Sequence, residues 1–378
     1  MSQAKIYSAA LIGCGRIGYS LGLDKKREQP ASHTMALSEN PRVNIIAACD
    51  TDPVALKNWQ SANKKIPVYR NSENLYVRHR PDIITLAVNE RAHLSECLSA
   101  IVVKPGLIIL EKPVALTVKD ALTIYNSATR NNVPILVNHE RRFSEDYILA
   151  KSFMQEIGPL ESIRASLHSA MTVYSKERDA LGQGNYSLLH DGSHLADALL
   201  FFLEKETSST TVTLPVYKSN ATRGLGLLGM AEKSSSATKV VNSLLNNPTL
   251  SAISKEENGD VKQFTVTYKN AACPDITMSI FGRSKFFSFD IEITGSQGRI
   301  CIGNGYLKLY KAQSSDLYTG FSSLKNQSHI KLPKKTLYFS NMVQNAVDFL
   351  DQKAPLRSTL QNGINALAVL EEIKELLK

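Results

Sequence analysis

The chain has 378 residues, 43% of them hydrophobic and 21% charged, and a formal net charge of +9. That length suits two domains of ~150 residues or more, each with its own core, and the composition excludes a disordered, collagenous or low-complexity chain. The longest apolar run, Ala198–Leu203, falls far short of the ~18–20 residues that cross a bilayer, and Met1–Lys5 lacks the features of a secretory signal, so a cytoplasmic location is expected.

Short β-branched apolar runs at Ile6–Ile12, Val43–Cys49, Ile83–Val88, Leu107–Leu110 and Ile135–Val137 alternate with helical segments. Runs without polar alternation suit strands covered on both faces, as in a parallel sheet. Directly after the first run stands Gly13-Cys14-Gly15-Arg16-Ile17-Gly18, whose glycines let the backbone approach a pyrophosphate at a helix N-terminus. A polar insertion, Asp24–Pro30, separates this turn from a helix that resumes at His33–Leu37. Asp50 closes the second run, where a carboxylate can bind ribose hydroxyls and repel a 2′-phosphate. The expected cofactor is therefore NAD, with NADP disfavoured.

Asp52-Pro53 caps and opens a helix through Asn63, with Trp59 as a packing residue. Thr117, with Asp120 three places on, opens another that runs to Arg130 and stops at Asn131-Asn132 and Pro134. The β-α-β-α-β order predicts a doubly wound α/β Rossmann domain over residues 1–138, with right-handed crossovers. Beyond it, His190–Asp197 opens an amphipathic segment through Phe202. Strand composition recurs at Thr207–Val216, Phe264–Tyr268, Met278–Ile280, Phe286–Ile293 and Arg299–Ile302, which predicts a broad sheet. Gly224–Gly229 follows no convincing strand and reads as a loop.

The five cysteines are odd in number and scattered, without a C-x-x-C pair, and are expected to be reduced and buried. Lys and Arg outnumber Asp and Glu by 17 to 11 up to Asn138 and by 27 to 24 beyond it. The densest basic clusters, Lys25–Arg27 and Lys331–Lys335, lack interleaved aromatics, so anionic small molecules are expected as partners rather than nucleic acid or membrane.

Leu110-Glu111-Lys112-Pro113 and Asn138-His139-Glu140-Arg141-Arg142-Phe143, taken with the glycine turn, resemble the Gfo/Idh/MocA oxidoreductases, the family of glucose–fructose oxidoreductase and inositol dehydrogenase. The resemblance covers nearly the whole chain. It implies a Rossmann domain followed, over residues 139–378, by an α/β domain whose open, mainly antiparallel sheet serves substrate binding and homo-oligomer contacts, as a dimer or tetramer. Ala87-Val88-Asn89 with His93 takes the place of the family's T-P-N-x-x-x-H segment beside the nicotinamide, keeping Asn and His but not Thr and Pro. Together with Glu111, Lys112 and Pro113, these residues join Gly13, Gly15, Arg16, Ile17, Gly18 and Asp50 as the implied cofactor contacts. Thr294–Gly298 looks like the family's glycine turn between sheet strands, and Pro355–Ser358 before Gln361–Glu372 is similar to its terminal element.

By the same resemblance Lys112 lies between nicotinamide and the substrate hydroxyl, in proton transfer or orientation of that hydroxyl. Its position at the end of a buried strand is where open α/β sheets bind ligands. His194 matches the histidine of the family's D-x-x-x-H, whereas His190 stands where the aspartate is expected and Asp191 follows one place later. Lys112, His194 and His190 are thus the expected catalytic groups, with Arg142, Asp191, Tyr174 and Tyr186 around the substrate. Arg141 and His33 are weighed evenly between the site and a packing or solvated role. An i, i+4 pair such as His190 and His194 also suits a metal, but no third ligand accompanies it and no metal is expected.

The implied reaction moves a hydride between nicotinamide and a secondary alcohol or ketone carbon of a sugar, sugar acid, nucleotide-linked sugar or cyclitol. The rival readings are a non-catalytic dinucleotide sensor on the same fold, and reduction of a non-sugar carbonyl or imine.

Overall fold

A computed structural model describes residues 4–184, 186–204 and 244–378. The first part alternates β1 (Tyr7–Ile12), α1 (His33–Glu39), β2 (Val43–Cys49), α2 (Pro53–Ala62), β3 (Val68–Tyr69), α3 (Ser72–Arg78), β4 (Ile83–Leu86), α4 (His93–Val102), β5 (Leu107–Leu110), α5 (Val118–Asn131) and β6 (Ile135–Val137). Its strands form one parallel sheet in the order β3-β2-β1-β4-β5-β6. Every residue of β4, β5 and β6 is buried, as strands covered on both faces require. The caps act as the sequence predicts. Asp52 accepts the Val54 N–H at 2.8 Å, and the Thr117 hydroxyl accepts the Asp120 N–H at 3.1 Å. Trp59 is fully buried and donates its ring N–H to Thr34 at 2.8 Å, so it packs.

The second part runs through α6 (Glu145–Phe153), β7 (Leu160–His168), α7 (Lys176–Ala180), α8 (Ser187–His190) and α9 (Gly192–Leu203). Then come β8 (Thr249–Lys255), β9 (Val261–Asn270), β10 (Cys273–Phe281), β11 (Ser288–Gly295), β12 (Gly298–Gly303), β13 (Tyr306–Ser314) and β14 (Ser322–Asn326), before α10 (Tyr338–Leu350) and α11 (Leu360–Leu377). The strands order as β14-β13-β12-β11-β7-β10-β9-β8, antiparallel except where β7 meets β10. Burial alternates along β11, as it does in a strand with one face in the core and one towards solvent.

The sequence reading missed β3, β7, β8, β13, β14, α6 and α10, and reads as a polar loop the stretch Lys176–Asn185 in which α7 forms. β3 is two residues long, and β8, β13 and β14 lie towards a sheet edge with few buried side chains, so periodicity is weak there. The expected strand Phe286–Ile293 starts two residues later, leaving Phe286 and Phe287 exposed. The expected strand Thr207–Val216 and loop Gly224–Gly229 lie outside the described residues. The first sheet's last strand ends at Val137 and the second sheet's first begins at Leu160, but α10 returns to the first sheet: Phe339, Met342, Val343 and Ala346 join the core formed by Leu11, Leu37, Trp59 and Ile109. The C-terminal stretch therefore completes the first domain as well as building the second. Among the described residues no helix is long and apolar enough to cross a membrane.

Candidate active site

The glycine turn is shaped by steric demand. Gly13 sits at φ +100°, and a Cβ there would stand 2.4 Å from the Ala87 carbonyl oxygen. A Cβ on Gly18 would stand 2.0 Å from the Gly13 oxygen, whereas one on Gly15 would meet nothing within 4 Å. The first two glycines let strands and turn close together, and the third leaves an open backbone face that fits a pyrophosphate. Asp50 accepts the Cys14 N–H at 2.7 Å and the Asp52 N–H at 2.8 Å. Each carboxylate oxygen keeps a further lone pair for a ribose hydroxyl. Arg16 is exposed, and Ile17 packs against the core that α10 shares.

Across the turn, Ala87 donates its N–H to Ile12 at 2.7 Å, and Asn89 caps the short turn Glu90–Ala92 by accepting the Arg91 N–H at 3.2 Å. His93, expected to touch the cofactor, is buried. Its Nδ1 lies 2.7 Å from the Pro113 oxygen and its Nε2 3.2 Å from that of Val88. Burial holds its pKa below the usual histidine value despite those carbonyls, which favours the neutral ring. His93 is thus a positioning residue that ties the Val88 loop to the Lys112-Pro113 turn.

Glu111, another expected cofactor contact, is also buried. Its carboxylate accepts from His33 Nε2 at 2.7 Å and from the Asn138 amide at 2.6 Å. Burial works to raise its pKa, but these hydrogen bonds and the Lys112 charge outweigh it and hold the group ionised. It anchors the turn through these bonds, and His33 packs against Phe339, ring centroids 5.1 Å apart.

Lys112 leaves this anchored turn and donates from Nζ to the His190 carbonyl oxygen at 3.0 Å. That contact joins the carboxyl end of β5 to the break between α8 and α9. His190 enters the site through its main chain: its ring is half-exposed and lies 3.0 Å from Asp191. The helix break at Asp191 also separates His190 from His194, which stands in the first turn of α9. Asp191 accepts the Ser169 hydroxyl at 2.8 Å. His194 Nδ1 comes within 3.9 Å of Glu140. Burial, then the charges of Lys112 and Arg141, then the imidazoles of His139 and His190, press its pKa well below the ordinary value, leaving a neutral imidazole beside an amine. Among the described residues no three His, Cys, Asp or Glu side chains converge as metal ligands.

Three expected substrate contacts belong to the framework. Arg142 is buried and gripped by Asp197 at 2.8 Å and Glu204 at 2.7 Å, so its guanidinium is spent on two carboxylates. Tyr174 and Tyr186 are buried edge to face at 5.5 Å, and both hydroxyls go to Asp179, that of Tyr186 at 2.7 Å. Arg141 packs its guanidinium 3.7 Å over the Phe289 ring. One neighbour had been given no role: His139 is buried with no hydrogen bond to either ring nitrogen, Nδ1 standing 3.7 Å from Asp197. Burial, then Arg142 and Lys112, keep it neutral. Its place just past β6, in the motif already singled out, was the available signal.

Residues 7–139 match the family model GFO_IDH_MocA, described as "Oxidoreductase family, NAD-binding Rossmann fold". The D-apiose dehydrogenase of Paraburkholderia graminis is 24% identical over 216 residues, 56% of this chain and 54% of that protein, so the match spans about half the length of that relative. An oxidoreductase from Agrobacterium radiobacter, solved with NAD+, L-tartaric acid and magnesium, has a TM-score of 0.66 at 16% identity, covering 97% of this chain and 94% of its own. The WlbA dehydrogenase of Chromobacterium violaceum, solved with NADH and UDP-GlcNAcA, has a TM-score of 0.65 at 17% identity, covering 99% and 95%. These structural likenesses show a shared two-domain fold.

Proposed function

We propose, on the premise that this chain belongs to the Gfo/Idh/MocA oxidoreductase family and carries its NAD-binding Rossmann domain, that it is a dehydrogenase acting on a secondary alcohol of a sugar, sugar acid, nucleotide-linked sugar or cyclitol. When bound, NAD supplies a two-electron hydride acceptor at the nicotinamide. The chain's own residues do the rest. The glycine turn and Asp50 bind and orient the cofactor, and the anchored Glu111–Pro113 turn presents Lys112 at the carboxyl end of β5.

The observation that carries the reading is that Lys112 is held on the His190 carbonyl at 3.0 Å, which puts its amine at the helix break one turn before His194. Lys112 donates a hydrogen bond that orients the substrate hydroxyl oxygen. His194, uncharged and with Glu140 nearby, accepts the hydroxyl proton at a ring nitrogen as the carbonyl forms. His93 and Glu111 keep those two groups in register without touching the reacting atoms.

The test is NADH fluorescence during a panel of sugars, sugar acids, nucleotide sugars and cyclitols, run on the wild type and on Lys112→Met. Turnover lost with NADH binding intact supports the assignment. Undiminished turnover in the variant removes Lys112 from the mechanism, and tight NADH binding without turnover anywhere on the panel favours a sensor.

A further inference from the structure

Two basic loops that the proton chemistry does not use are clasped together beside the candidate site. Lys25, Lys26 and Arg27 lie in the insertion that precedes α1, and Lys331, Lys334 and Lys335 lie in the segment that precedes α10; all six are exposed. The loops meet at Glu28. Its carboxylate accepts the Thr336 N–H at 2.9 Å, the Thr336 hydroxyl at 3.1 Å and the Leu337 N–H at 2.8 Å, a junction between residues 308 positions apart. The acid at the junction of the two clusters is therefore occupied by hydrogen-bond donors. Arg27 pairs with Asp24 at 3.5 Å, while Lys25, Lys26, Lys331, Lys334 and Lys335 form no ion pair among the described residues.

The clasp also sets where this charge sits. Glu145 donates its N–H to the Thr336 oxygen at 2.9 Å, and Asn341 donates to the Phe143 oxygen at 2.9 Å. These bonds hold the basic segment against the turn that carries Glu140 beside His194. From the first turn of α10, directly after that segment, Phe339 reaches His33, the ring bonded to Glu111.

We propose that Lys25–Arg27 and Lys331–Lys335 form one anion-binding rim at the mouth of the candidate active site, which takes the phosphoryl oxygens of a phosphorylated sugar substrate. The inference rests on the dehydrogenase reading and narrows its substrate class. Exposed ammonium groups on flexible stems act on a phosphate as point charges, and several within about a Debye length, ~10 Å at 0.1 M salt, act together. A dianionic phosphate or a diphosphate gains more from such a field than a single carboxylate does. Sugar phosphates and nucleoside-diphosphate sugars share that chemistry.

The test is calorimetry on the NADH-saturated protein, in which the glycine turn is already filled, with glucose 1-phosphate and UDP as probes. At least one probe binds, weakens with rising salt, and loses about tenfold or more in affinity in Lys25→Glu/Lys26→Glu and in Lys334→Glu/Lys335→Glu. The matched reversal Lys64→Glu/Lys65→Glu, beyond the end of α2, leaves affinity within about twofold. Binding of both probes assigns the rim to phosphate as such, and binding of UDP alone assigns it to a nucleoside diphosphate. The proposal is overturned if neither probe binds the wild type, or if the Lys64 and Lys65 reversal costs as much as the rim reversals. Binding is read without turnover, so undiminished turnover in Lys112→Met removes Lys112 from the mechanism and leaves this result standing.

Discussion

His33 and His93 bond to the residues that flank Lys112, and His139 and His194 lie within reach of its charge; the first three are buried and His194 mostly so, yet they differ in what their nitrogens do. His33 gives Nε2 to Glu111 and His93 faces the Pro113 and Val88 carbonyls, whereas His139 has no hydrogen bond and His194 only a 3.9 Å approach to Glu140. Burial alone therefore does not separate a framework imidazole from a reactive one. The separation comes from whether a nitrogen is committed: a committed ring fixes geometry, and an uncommitted neutral ring beside an amine is free to take a proton.

The sharpest way to break this comparison is at the amine. Lys112→Met is expected to lower kcat/KM by about 10²–10⁴-fold while the NADH dissociation constant, read by fluorescence, barely moves. Arg142→Ala strips the partner from buried Asp197 and is expected to cost about 3–5 kcal/mol in urea unfolding. His194→Ala is expected to lower kcat by about 10²-fold with substrate affinity less affected, measured by steady-state kinetics. His33→Ala, on the framework side, should instead cost about 1–3 kcal/mol of stability and change kcat less than about tenfold.

The smallest effect is in pH dependence. His93, His139 and His194 stay neutral in the fold, while in the unfolded chain they take up protons near pH ~6.5. Protonation thus favours the unfolded chain, so their contribution is present above that pH and is lost as pH falls below it, by about 1.4 kcal/mol per pH unit for each ring. His139→Phe is expected to flatten the slope of unfolding free energy between pH 6 and 5 by about one proton, whereas His139 acting only as a charged partner of Asp197 would make it steeper.

Much of the site was legible in the chain itself. The glycine turn, Asp50, the Lys112-Pro113 turn and the capped helices all use neighbours a few residues apart, so their residue types announce their geometry. The roles of Glu111, His93, Arg142, Tyr174 and Tyr186 were not legible, because a side chain's type does not say which partner it meets. Glu111 finds its donors 27 and 78 positions away, and Arg142 finds Asp197 55 positions away.

The sequence by itself determined a parallel dinucleotide-binding sheet, its glycine turn and the capped helices around it. Tertiary structure alone decided that α10 returns to the first sheet, that His190 offers its carbonyl to Lys112, and that two distant basic loops share one clasp. The reason is physical. Periodicity and turn chemistry are local properties of the backbone, whereas the partner of a buried charge is set by which surfaces the sheets bring together.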